Sequence, residues 1–446
     1  MQIILLSGGS GKRLWPLSNN TRSKQFIKLL TAPDGIKESM VQRVVRQLQE
    51  SGINDPITVA TSVSQCDVII SQLGENIPVV TEPERRDTFP AIALASSYLA
   101  YEKQCPFDEV VVVMPCDPYT ESKYFETIVQ MSDAVKRDTA ELVLMGIKPT
   151  YPSAKYGYVV PVSSDMEAGI CKVSRFTEKP DVPTAEKLIS EGASWNGGVF
   201  AFRLGYMMDI VSRYIKADTF AEIRSRYSEF PKISFDYEVA EKAKSVAVVS
   251  FDGKWKDLGT WNTFTDELKD HAIGNVIMDA ESKSTHVINE LKLPIMCIGA
   301  RNLVVAASCD GILISEKSKS ENIKAFAEHL QCQPMFEERR WGEYKVIDMV
   351  EFPDGYKTLT KQLRIKAGKR ISYQVHHHCD KVWTFVDGEG MLVLDGEVMK
   401  IGRGDTFCIK KDVKHAVKAT TNLLLIEVQS GDSIIEEDIE RVDWNW

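Results

Sequence analysis

A glycine-rich, basic turn near the N-terminus is the part of the sequence best suited to chemistry. An apolar run at residues 3–6 has strand character and leads into GGSGKRLWPL at residues 8–17. Glycines allow a backbone to approach a ligand closely, and successive N–H groups in such a turn bind anions. Arg13 adds a planar guanidinium that matches phosphate oxygens, and Arg22 and Lys24 add further positive charge. The turn therefore predicts a phosphate-binding loop after the first strand.

The spacing of this turn differs from those of two common nucleotide-binding loops. The P-loop pattern GxxxxGK[ST] is absent, and no third glycine arrives where the dinucleotide fingerprint requires it. A plain surface turn is the alternative, but the basic and apolar residues that follow at once disfavour it.

Composition and charge limit the classes of protein to which the chain can belong. Its 446 residues are enough for two or three domains, and 43% hydrophobic with 26% charged residues is typical of a soluble globular protein. The net charge of −9 disfavours nucleic-acid binding. No apolar run reaches the roughly 18–20 residues that span a membrane, and the first apolar run indicates a strand, not a signal peptide. Nine cysteines without CxxC pairs predict reduced thiols and a cytoplasmic location.

Alternating strand and helix patterns over residues 1–150 predict a doubly wound, Rossmann-like α/β domain. Strand candidates such as 3–6 and the valine-rich 109–114 alternate with helical patterns such as 39–50 and 91–101. A valine-rich strand of this kind is buried on both faces of a parallel sheet. Ligands of such sheets bind at the carboxyl ends of the strands, which is where the glycine-rich turn lies.

Pro115 and Asp117 lie at another such strand end. A carboxylate just past a buried strand and near a phosphate loop suits Mg²⁺, while a helix N-cap is the alternative role for Asp117.

The motif at residues 8–18, followed by SKQF at residues 23–26, resembles the signature of sugar-1-phosphate nucleotidyltransferases. Within them it is similar to the mannose-1-phosphate guanylyltransferases, whose pattern is GGxGxRLWPLS…PKQF. Ser23 stands where that family usually has proline, which alters loop stiffness but keeps the charge of Lys24. Further family segments follow in order up to residue 265: YGY, EKP, WNxGxF, DYxVxEK and WxDLGxW.

The resemblance implies a role for each matching residue. The catalytic residues would be Arg13, Lys24 and Lys179, and Mg²⁺ would lie between Asp117 and Asp257. The residues implied to contact the nucleotide are Leu6, Gly8, Gly9, Gly11, Arg13, Glu82, Arg86, Asp87, Pro115 and Asp117. The residues implied to contact the sugar phosphate are Tyr156, Gly157, Glu178, Lys179, Asn196, Gly198 and Asp236.

The segment at residues 82–92 resembles the family sequence EPxxRNTAPAI, which lies beside the guanine base. Asp87 replaces the usual asparagine and Phe89 replaces a small residue. A carboxylate accepts from both N1–H and N2–H₂ of guanine, so guanine remains compatible with Asp87. The alternative is a charged loop in which Asp87 or Thr88 caps a helix.

The C-terminal part of the chain changes to a β pattern. Residues 266–335 carry short strand candidates, one of them at 274–278, and from about residue 336 strand candidates are separated by Asp-Gly hairpin signals. The predicted domains are therefore 1–265, a β-rich extension at 266–335, and 336–446. The last is predicted to be a jelly-roll or cupin barrel of six to eight strands.

The segment GKRISYQVHHH and a later Gly-Asp pair with His415 resemble the two cupin motifs. In strand geometry His376 and His378 point the same way, so both could share a metal with His415. In the phosphomannose-isomerase domains that this region resembles, a glutamate completes the site. Lys381 stands there instead, and Asp380 should face the opposite side of the strand. Because a cation repels a metal, isomerase activity is disfavoured.

The resemblance implies Mg²⁺-dependent transfer of GMP from GTP to mannose-1-phosphate. Two alternatives stay open: a related enzyme that uses another base or sugar-1-phosphate, and a non-catalytic regulatory subunit. Neither a nucleic acid nor a membrane is expected as a partner, and the sequence leaves a homodimer open.

Overall fold

The computed structural model describes residues 1–9, 12–162, 169–330, 333–435 and 438–446. The described residues divide into two compact units. The first holds residues 1–9, 23–66 and 75–269, and the second holds residues 12–22, 67–74 and 270–446. Both units are therefore assembled from interleaved segments of the chain, and the predicted domain boundaries stay predictions.

The first unit contains a mixed sheet with helices packed on it. Its strands are β1 (Gln2–Ser7), β2 (Leu30–Thr31), β3 (Lys37–Glu38), β4 (Ile57–Ser62), β5 (Val79–Glu82), β6 (Val110–Pro115), β7 (Pro118–Thr120), β8 (Leu142–Ile147), β9 (Tyr158–Pro161), β10 (Ile170–Thr177), β11 (Ser194–Arg203), β12 (Val246–Phe251) and β13 (Trp255–Asp257). Its helices are α1 (Met40–Glu50), α3 (Thr88–Tyr101), α4 (Lys123–Lys136), α5 (Val182–Ser190), α6 (Leu204–Tyr214), α7 (Phe220–Ser225) and α8 (Trp261–Thr265). Helix α2 (Cys66–Leu73) belongs to the second unit from Asp67 onward.

Within the described residues, the main sheet has nine strands in the order β5-β4-β1-β6-β11-β8-β12-β10-β9. Strands β5, β4, β1 and β6 are parallel, whereas β11 runs antiparallel to both β6 and β8. Helix α3 packs on β1, β4 and β5, and α4 packs on β6, β8, β11 and β12. This confirms the α/β class predicted from the sequence, with two strands, β11 and β10, that run antiparallel to the others.

Local signals explain the element boundaries of this unit. Ser39 caps α1 in a reciprocal capping box with Gln42, and the predicted helix at 39–50 is confirmed. The valine run of β6 is buried in the sheet, as predicted. Helix α3 begins three residues before the predicted helix because Asp87 supplies its N-cap.

The second unit begins with ladders of short strands. These strands are β14 (Ala272–Gly274), β15 (Val276–Met278), β16 (His286–Asn289), β17 (Ile295–Cys297), β18 (Leu303–Ser308) and β19 (Gly311–Glu316), and α9 (Ile323–Ala327) follows. Strands β14, β16 and β18 pair in parallel, as do β15 and β17. The strand predicted at 274–278 is confirmed over Val276–Met278, whereas Gly274, with a positive φ of 86°, is the last residue of the preceding strand β14.

The same unit holds the second half of the glycine-rich turn. Both guanidinium N–H₂ groups of Arg22 donate to Glu290 at 2.9 Å, and the Asn19 amide donates to Asp310 at 2.7 Å. The Ser308 hydroxyl donates to the Pro16 carbonyl at 2.7 Å. Residues 12–22 are thus fastened to the β ladders, and Arg22 is engaged by a carboxylate.

The C-terminal strands form two facing sheets of a cupin-like barrel. They are β20 (Phe336–Arg339), β21 (Gly342–Glu351), β22 (Lys357–Ile365), β23 (Gln374–Val375), β24 (Cys379–Asp387), β25 (Gly390–Leu394), β26 (Glu397–Ile401), β27 (Thr406–Ile409), β28 (His415–Ala419), β29 (Leu423–Gly431) and β30 (Glu440–Arg441). In the described part of the chain, the sheets are β20-β21-β22-β29-β24-β27 and β26-β25-β28-β23-β30. The prediction of six to eight strands is wrong, since two-residue strands such as β23 and β30 leave almost no sequence pattern.

None of the helices formed by the described residues has both the length and the apolar character needed to cross a lipid bilayer.

Candidate functional site

The phosphate-loop candidate begins at the end of β1. Gly8 and Gly9 are exposed, Gly9 has a φ of 121°, and a side-chain carbon built on either would meet open space. The Gly9 carbonyl accepts from the Ser23 hydroxyl at 3.1 Å and from the Gln65 amide at 3.2 Å. The backbone is therefore open on one side and anchored on the other, as a cradle for an anion requires.

Ser23, where the family pattern has proline, thus has a definite structural role. Its hydroxyl bonds to the loop and also receives a hydrogen bond from Gln65. Sequence reasoning treated Ser23 as a departure and missed Gln65, because nothing in the sequence places a residue of the β4–α2 connection beside the turn.

Two carboxylates and one ammonium meet at the carboxyl end of the sheet. Asp117 lies two residues after the end of β6, and the antiparallel pairing of β7 with β13 places Asp257 opposite Pro118. The Lys24 ammonium lies 2.9 Å from Asp117 Oδ2 and 2.7 Å from Asp257 Oδ1. The structure therefore brings Lys24, Asp117 and Asp257 together, while their roles stay predictions; we call these three residues the Lys24 triad.

The electrostatics of the Lys24 triad favour a permanently charged lysine. Burial acts to lower the pKa of Lys24, but the carboxylates of Asp117 and Asp257 outweigh it and hold the pKa above the usual lysine value. Burial likewise raises the pKa of the neighbouring Cys116 thiol to about 12, so this thiol is not a nucleophile.

The two carboxylates of the triad, whose combined charge exceeds that of the one ammonium, suit Mg²⁺. Hard carboxylate oxygens are the ligands that this ion prefers, and the Asp117 and Asp257 side chains are 32% and 37% exposed, so solvent reaches both. A side-chain carbon at Gly259 would lie only 3.1 Å from Asp257 Oδ2, so this glycine makes room for the carboxylate.

A second group of polar residues lies around Gly157 and β11. The Asn196 amide donates to Asp236 Oδ1 at 2.6 Å, and Asn196 Oδ1 accepts from the Gly198 backbone N–H at 3.2 Å. Glu178 is nearly buried, and its carboxylate is 2.7 Å from the Lys179 ammonium. A side-chain carbon at Gly157 would meet the Glu178 carboxylate and the Phe176 ring at less than 3.0 Å, so a larger residue would force these side chains to shift.

Asp236 has an unusual environment within this group. It begins a π-helical turn (Asp236–Ala240), a rare element that often occurs at functional sites. Burial, with repulsion from Glu178, raises its pKa to about 6.

Aromatic rings line the path between the two groups. Tyr156 packs on Trp195 and Trp255, with ring centroids 4.9 and 5.4 Å apart, and burial raises the pKa of its hydroxyl. Trp255 begins the WxDLGxW segment identified in the sequence, but no binding role was predicted for it. Such rings suit the apolar face of a sugar.

The predicted base-binding segment is well ordered by local contacts. Asp87 is exposed, has a φ of 74° and accepts from the Thr88 N–H at 2.7 Å, so the capping alternative is confirmed. Arg86 Nε donates to the Phe230 carbonyl at 3.0 Å. Phe89 is fully buried against Phe230, which explains its size.

Glu82 accepts from the Tyr227 hydroxyl at 2.8 Å in this segment. Burial raises the pKa of Glu82 to about 7. Tyr227 carried no motif and was missed.

Comparison with known proteins decides the family. The nucleotidyl transferase family model matches residues 2–272, which is more than half of the chain. The chain belongs to the nucleotidyl transferase family. A model described as mannose-6-phosphate isomerase C-terminal matches residues 327–444.

Relatives of this nucleotidyl transferase cover its whole length. A protein of Vibrio cholerae named putative mannose-1-phosphate guanylyltransferase is 28% identical over 99% of both chains. The Escherichia coli mannose-1-phosphate guanylyltransferase is 28% identical over 98% of this chain and 97% of its own. A Thermus thermophilus crystal structure, described as a mannose-1-phosphate geranyltransferase, has a TM-score of 0.61 and 25% identity, and covers 74% of this chain and 99% of its own.

The remaining residues that were predicted to form the site have the following positions in the structure. Arg13 is exposed and lies in the second unit, Leu6 and Pro115 are neighbours in the β1–β6 pairing, and Gly11 lies outside the described residues. The roles of all these residues stay predictions.

The histidines of the barrel are arranged differently from the prediction. His376 is buried and its ring stacks on that of His415 with centroids 5.4 Å apart, whereas His378 is exposed. The prediction that His376 and His378 share a strand face is wrong, because β23 ends at Val375 and both histidines lie in the connection to β24. The structure brings His376 and His415 together but leaves His378 exposed, and a metal held by all three histidines stays a prediction.

Two residues that were not predicted as its neighbours lie beside His376. Its ring, the Cys379 thiol and the Asp438 carboxylate offer atoms that lie within 4.8 Å of one another. Burial and the nearby Lys381 lower the pKa values of His376 and His415 to about 3 and about 4, so both rings are neutral. The prediction that Asp380 faces away from Lys381 is confirmed, since Asp380 pairs with Lys410 while Lys381 is buried.

Proposed function

We propose that this chain transfers GMP from GTP to mannose-1-phosphate and releases GDP-mannose and pyrophosphate. The observation that carries the proposal is the Lys24 triad, in which an ammonium lies within 2.9 Å of two carboxylates beside an open glycine turn. The names of full-length relatives support the choice of GTP and mannose-1-phosphate.

The reaction needs positioning and charge neutralisation more than proton transfer. The phosphate of mannose-1-phosphate is already anionic at neutral pH, so it attacks the α-phosphorus of GTP in line without a general base, and pyrophosphate leaves. Lys24, protonated throughout the neutral range, supplies a fixed positive charge beside the reacting phosphates.

Asp117 and Asp257 are the residues that would hold Mg²⁺. When bound, this ion neutralises phosphate charge and orients the attacking and leaving oxygens. The protein contributes the spacing of its two ligands, which the β7–β13 register and the space left by Gly259 determine.

The polar group around Asn196 would bind the sugar. Glu178 and Asp236 offer acceptors for hydroxyl groups, Lys179 offers a charge for the sugar phosphate, and Tyr156 offers an aromatic face. Asp87 is exposed, and its carboxylate, one oxygen of which accepts from the Thr88 N–H, would accept from guanine through the other oxygen. A cytoplasmic location and a homodimer stay predictions from the sequence.

The experiment is a nucleotide panel. Pyrophosphate release is measured with Mg²⁺, mannose-1-phosphate and GTP, ATP, UTP, CTP or dTTP, for wild type and Asp117→Ala. We expect GTP-selective release that Asp117→Ala abolishes. Pyrophosphate release with another nucleotide would indicate a related enzyme that uses another base. GTP binding without pyrophosphate release would indicate a regulatory subunit.

A further inference from the structure

The hairpin formed by β18 and β19 presents a carboxylate to residues 12–22. Strand β18 ends at Ser308 and β19 begins at Gly311, so Cys309 and Asp310 alone form the turn between them. The Asp310 backbone N–H donates to the Ser308 hydroxyl oxygen at 3.1 Å, which orders the turn. A two-residue turn between paired strands has little conformational freedom, so the Asp310 side chain leaves it in a defined direction.

Both carboxylate oxygens of Asp310 accept hydrogen bonds from distant parts of the second unit. Asp310 Oδ2 accepts from the Asn19 side-chain amide at 2.7 Å, and Oδ1 accepts from the Met335 backbone N–H at 2.6 Å. Met335 directly precedes β20, the first strand of the barrel. One carboxylate thus fastens residues 12–22 and the start of the barrel to the same turn.

Asn19 passes this contact on to its own segment. Its side-chain oxygen accepts from the backbone N–H groups of Thr21 and Arg22 at 3.0 and 2.8 Å, and its backbone N–H donates to the Arg22 carbonyl at 2.9 Å. The oxygen of the Asn19 amide therefore orders the chain from residue 19 to residue 22, while the nitrogen of the same amide binds Asp310.

The same hairpin also holds Trp15 and Pro16. The Ser308 hydroxyl donates to the Pro16 carbonyl at 2.7 Å. Gly311 has a φ of 150°, and a side-chain carbon there would lie 2.5 Å from the Trp15 ring, so a larger residue would force the ring to move. The hairpin thus contacts the segment at three points.

We infer, on the basis of the proposed function, that Asp310 is a positioning residue for the nucleotide site, because through Asn19 it holds the segment that carries Arg13. Arg13 is the residue of this segment that the family resemblance assigns to the nucleotide. A guanidinium pairs with phosphate oxygens in a fixed planar geometry, so displacement of its backbone weakens the pairing. Loss of the Asp310 contact should therefore weaken GTP binding and leave mannose-1-phosphate binding unchanged.

An exchange of two side chains tests this role on the full chain. Asn19→Asp brings two carboxylates together and removes the hydrogen bond. Adding Asp310→Asn restores the bond in the opposite direction, since the new amide donates to the new carboxylate while its oxygen still accepts from the Met335 N–H. The exchanged protein has the same net charge as wild type, so the two proteins differ only in the direction of this bond.

KM for GTP and KM for mannose-1-phosphate are measured from pyrophosphate release. We expect Asn19→Asp to raise KM for GTP about tenfold, the usual size of one hydrogen bond to a charged group. KM for mannose-1-phosphate should stay within about twofold of wild type, and the exchange should return KM for GTP to that range. Asp387→Asn, at an exposed position on β24, is the matched control and should change neither value.

Asp310→Ala separates positioning from long-range electrostatics. It removes a negative charge, which by itself would favour binding of the anionic GTP. We nevertheless expect KM for GTP to rise about tenfold, because the contact with Asn19 is lost.

Unchanged KM for GTP in Asn19→Asp and Asp310→Ala, with only a lower thermal midpoint, would indicate a merely structural contact and overturn the inference. A raised KM that the exchange does not restore would also overturn it. If neither single variant folds, Ser308→Ala decides, because it removes the hydroxyl that orders the Asp310 turn: KM for GTP should rise severalfold, and an unchanged KM would overturn the inference.

Wild type distinguishes failure of this role from failure of the proposed function. A wild type that releases no pyrophosphate from GTP would refute the proposed function and the role of Asp310 with it. An active wild type whose variants keep its KM for GTP would refute the positioning role alone.

Discussion

At the scale of single residues, the Lys24 triad is the feature on which the proposed chemistry depends. Its members come from three distant positions in the chain and meet through an ammonium 2.7 and 2.9 Å from two carboxylates. Because Lys24 stays protonated, it contributes a constant charge over the working pH range.

Removing this charge should slow the chemical step. We expect Lys24→Met to lower kcat by about 10²–10³-fold, the usual loss for one preorganised electrostatic group. Lys28→Met, at an exposed position four residues away, is the matched control and should stay within about twofold of wild type. Equal losses in both variants would mean that Lys24 has no special role.

Asp236 should make the first unit sensitive to pH. Its folded-state pKa of about 6 lies above the value of about 3.9 in an unfolded chain, so the folded protein holds the extra proton between these values. The contribution of this proton to the free energy of unfolding is complete below pH about 4 and is lost as pH rises to about 6.

Asp236→Asn should remove this pH dependence. The thermal midpoint of the variant minus that of wild type should therefore be larger at pH 8 than at pH 5. Thermal unfolding at both pH values measures this difference. An unchanged difference between the two pH values would contradict the assignment.

Much of the site could be predicted at this scale, but not its supporting contacts. Asp117 and Asp257 were identified because each stands in a recognisable motif. Gln65 and Tyr227 stand in none, and their contacts with Gly9 and Glu82 arise only when distant segments fold together.

At the scale of elements, strand register positions the carboxylates. The β7–β13 pairing sets Asp257 opposite Pro118, and Gly259 leaves the space that the Asp257 side chain needs. A change at Gly259 should therefore affect catalysis through Asp257.

Gly259→Ala tests this relation. Its added carbon would lie 3.1–3.4 Å from three atoms of the Asp257 carboxyl group, which must shift. We expect kcat to fall by about tenfold and the Mg²⁺ concentration for half-maximal rate to rise. Gly402→Ala, where a side-chain carbon meets open space, should change neither value.

The contacts of residues 12–22 also belong to this scale. Arg22 and Glu290 form a bidentate ion pair, and Arg13 lies with Arg22 in the segment of residues 12–22. Glu290→Gln should lower the thermal midpoint of the second unit by a few degrees and raise KM for GTP more than it lowers kcat. An unaltered KM for GTP would mean that residues 12–22 do not contribute to nucleotide binding.

Element prediction succeeded where local signals were strong and failed where they were absent. The capping box of α1 and the valine run of β6 marked their elements correctly. The start of β15 after Gly274 and the short β23 depend on the β ladders and on the barrel, which no local pattern encodes.

At the scale of the whole molecule, the chain joins a nucleotidyl transferase unit to an isomerase-like barrel in which a lysine, Lys381, is buried against Glu427. The protein should not interconvert fructose-6-phosphate and mannose-6-phosphate with any divalent metal, while the same preparation retains transferase activity. Metal-dependent isomerisation that His415→Ala abolishes would contradict this expectation.

The most direct test of the central claim is detection of the nucleotide sugar itself. GDP-mannose and pyrophosphate are quantified together after incubation with GTP, mannose-1-phosphate and Mg²⁺, for wild type and Asp257→Asn. We expect equal amounts of both products from wild type and at least about a hundredfold less of each from the variant. Pyrophosphate without GDP-mannose, or undiminished product from Asp257→Asn, would contradict the claim that the Lys24 triad is the centre of nucleotidyl transfer.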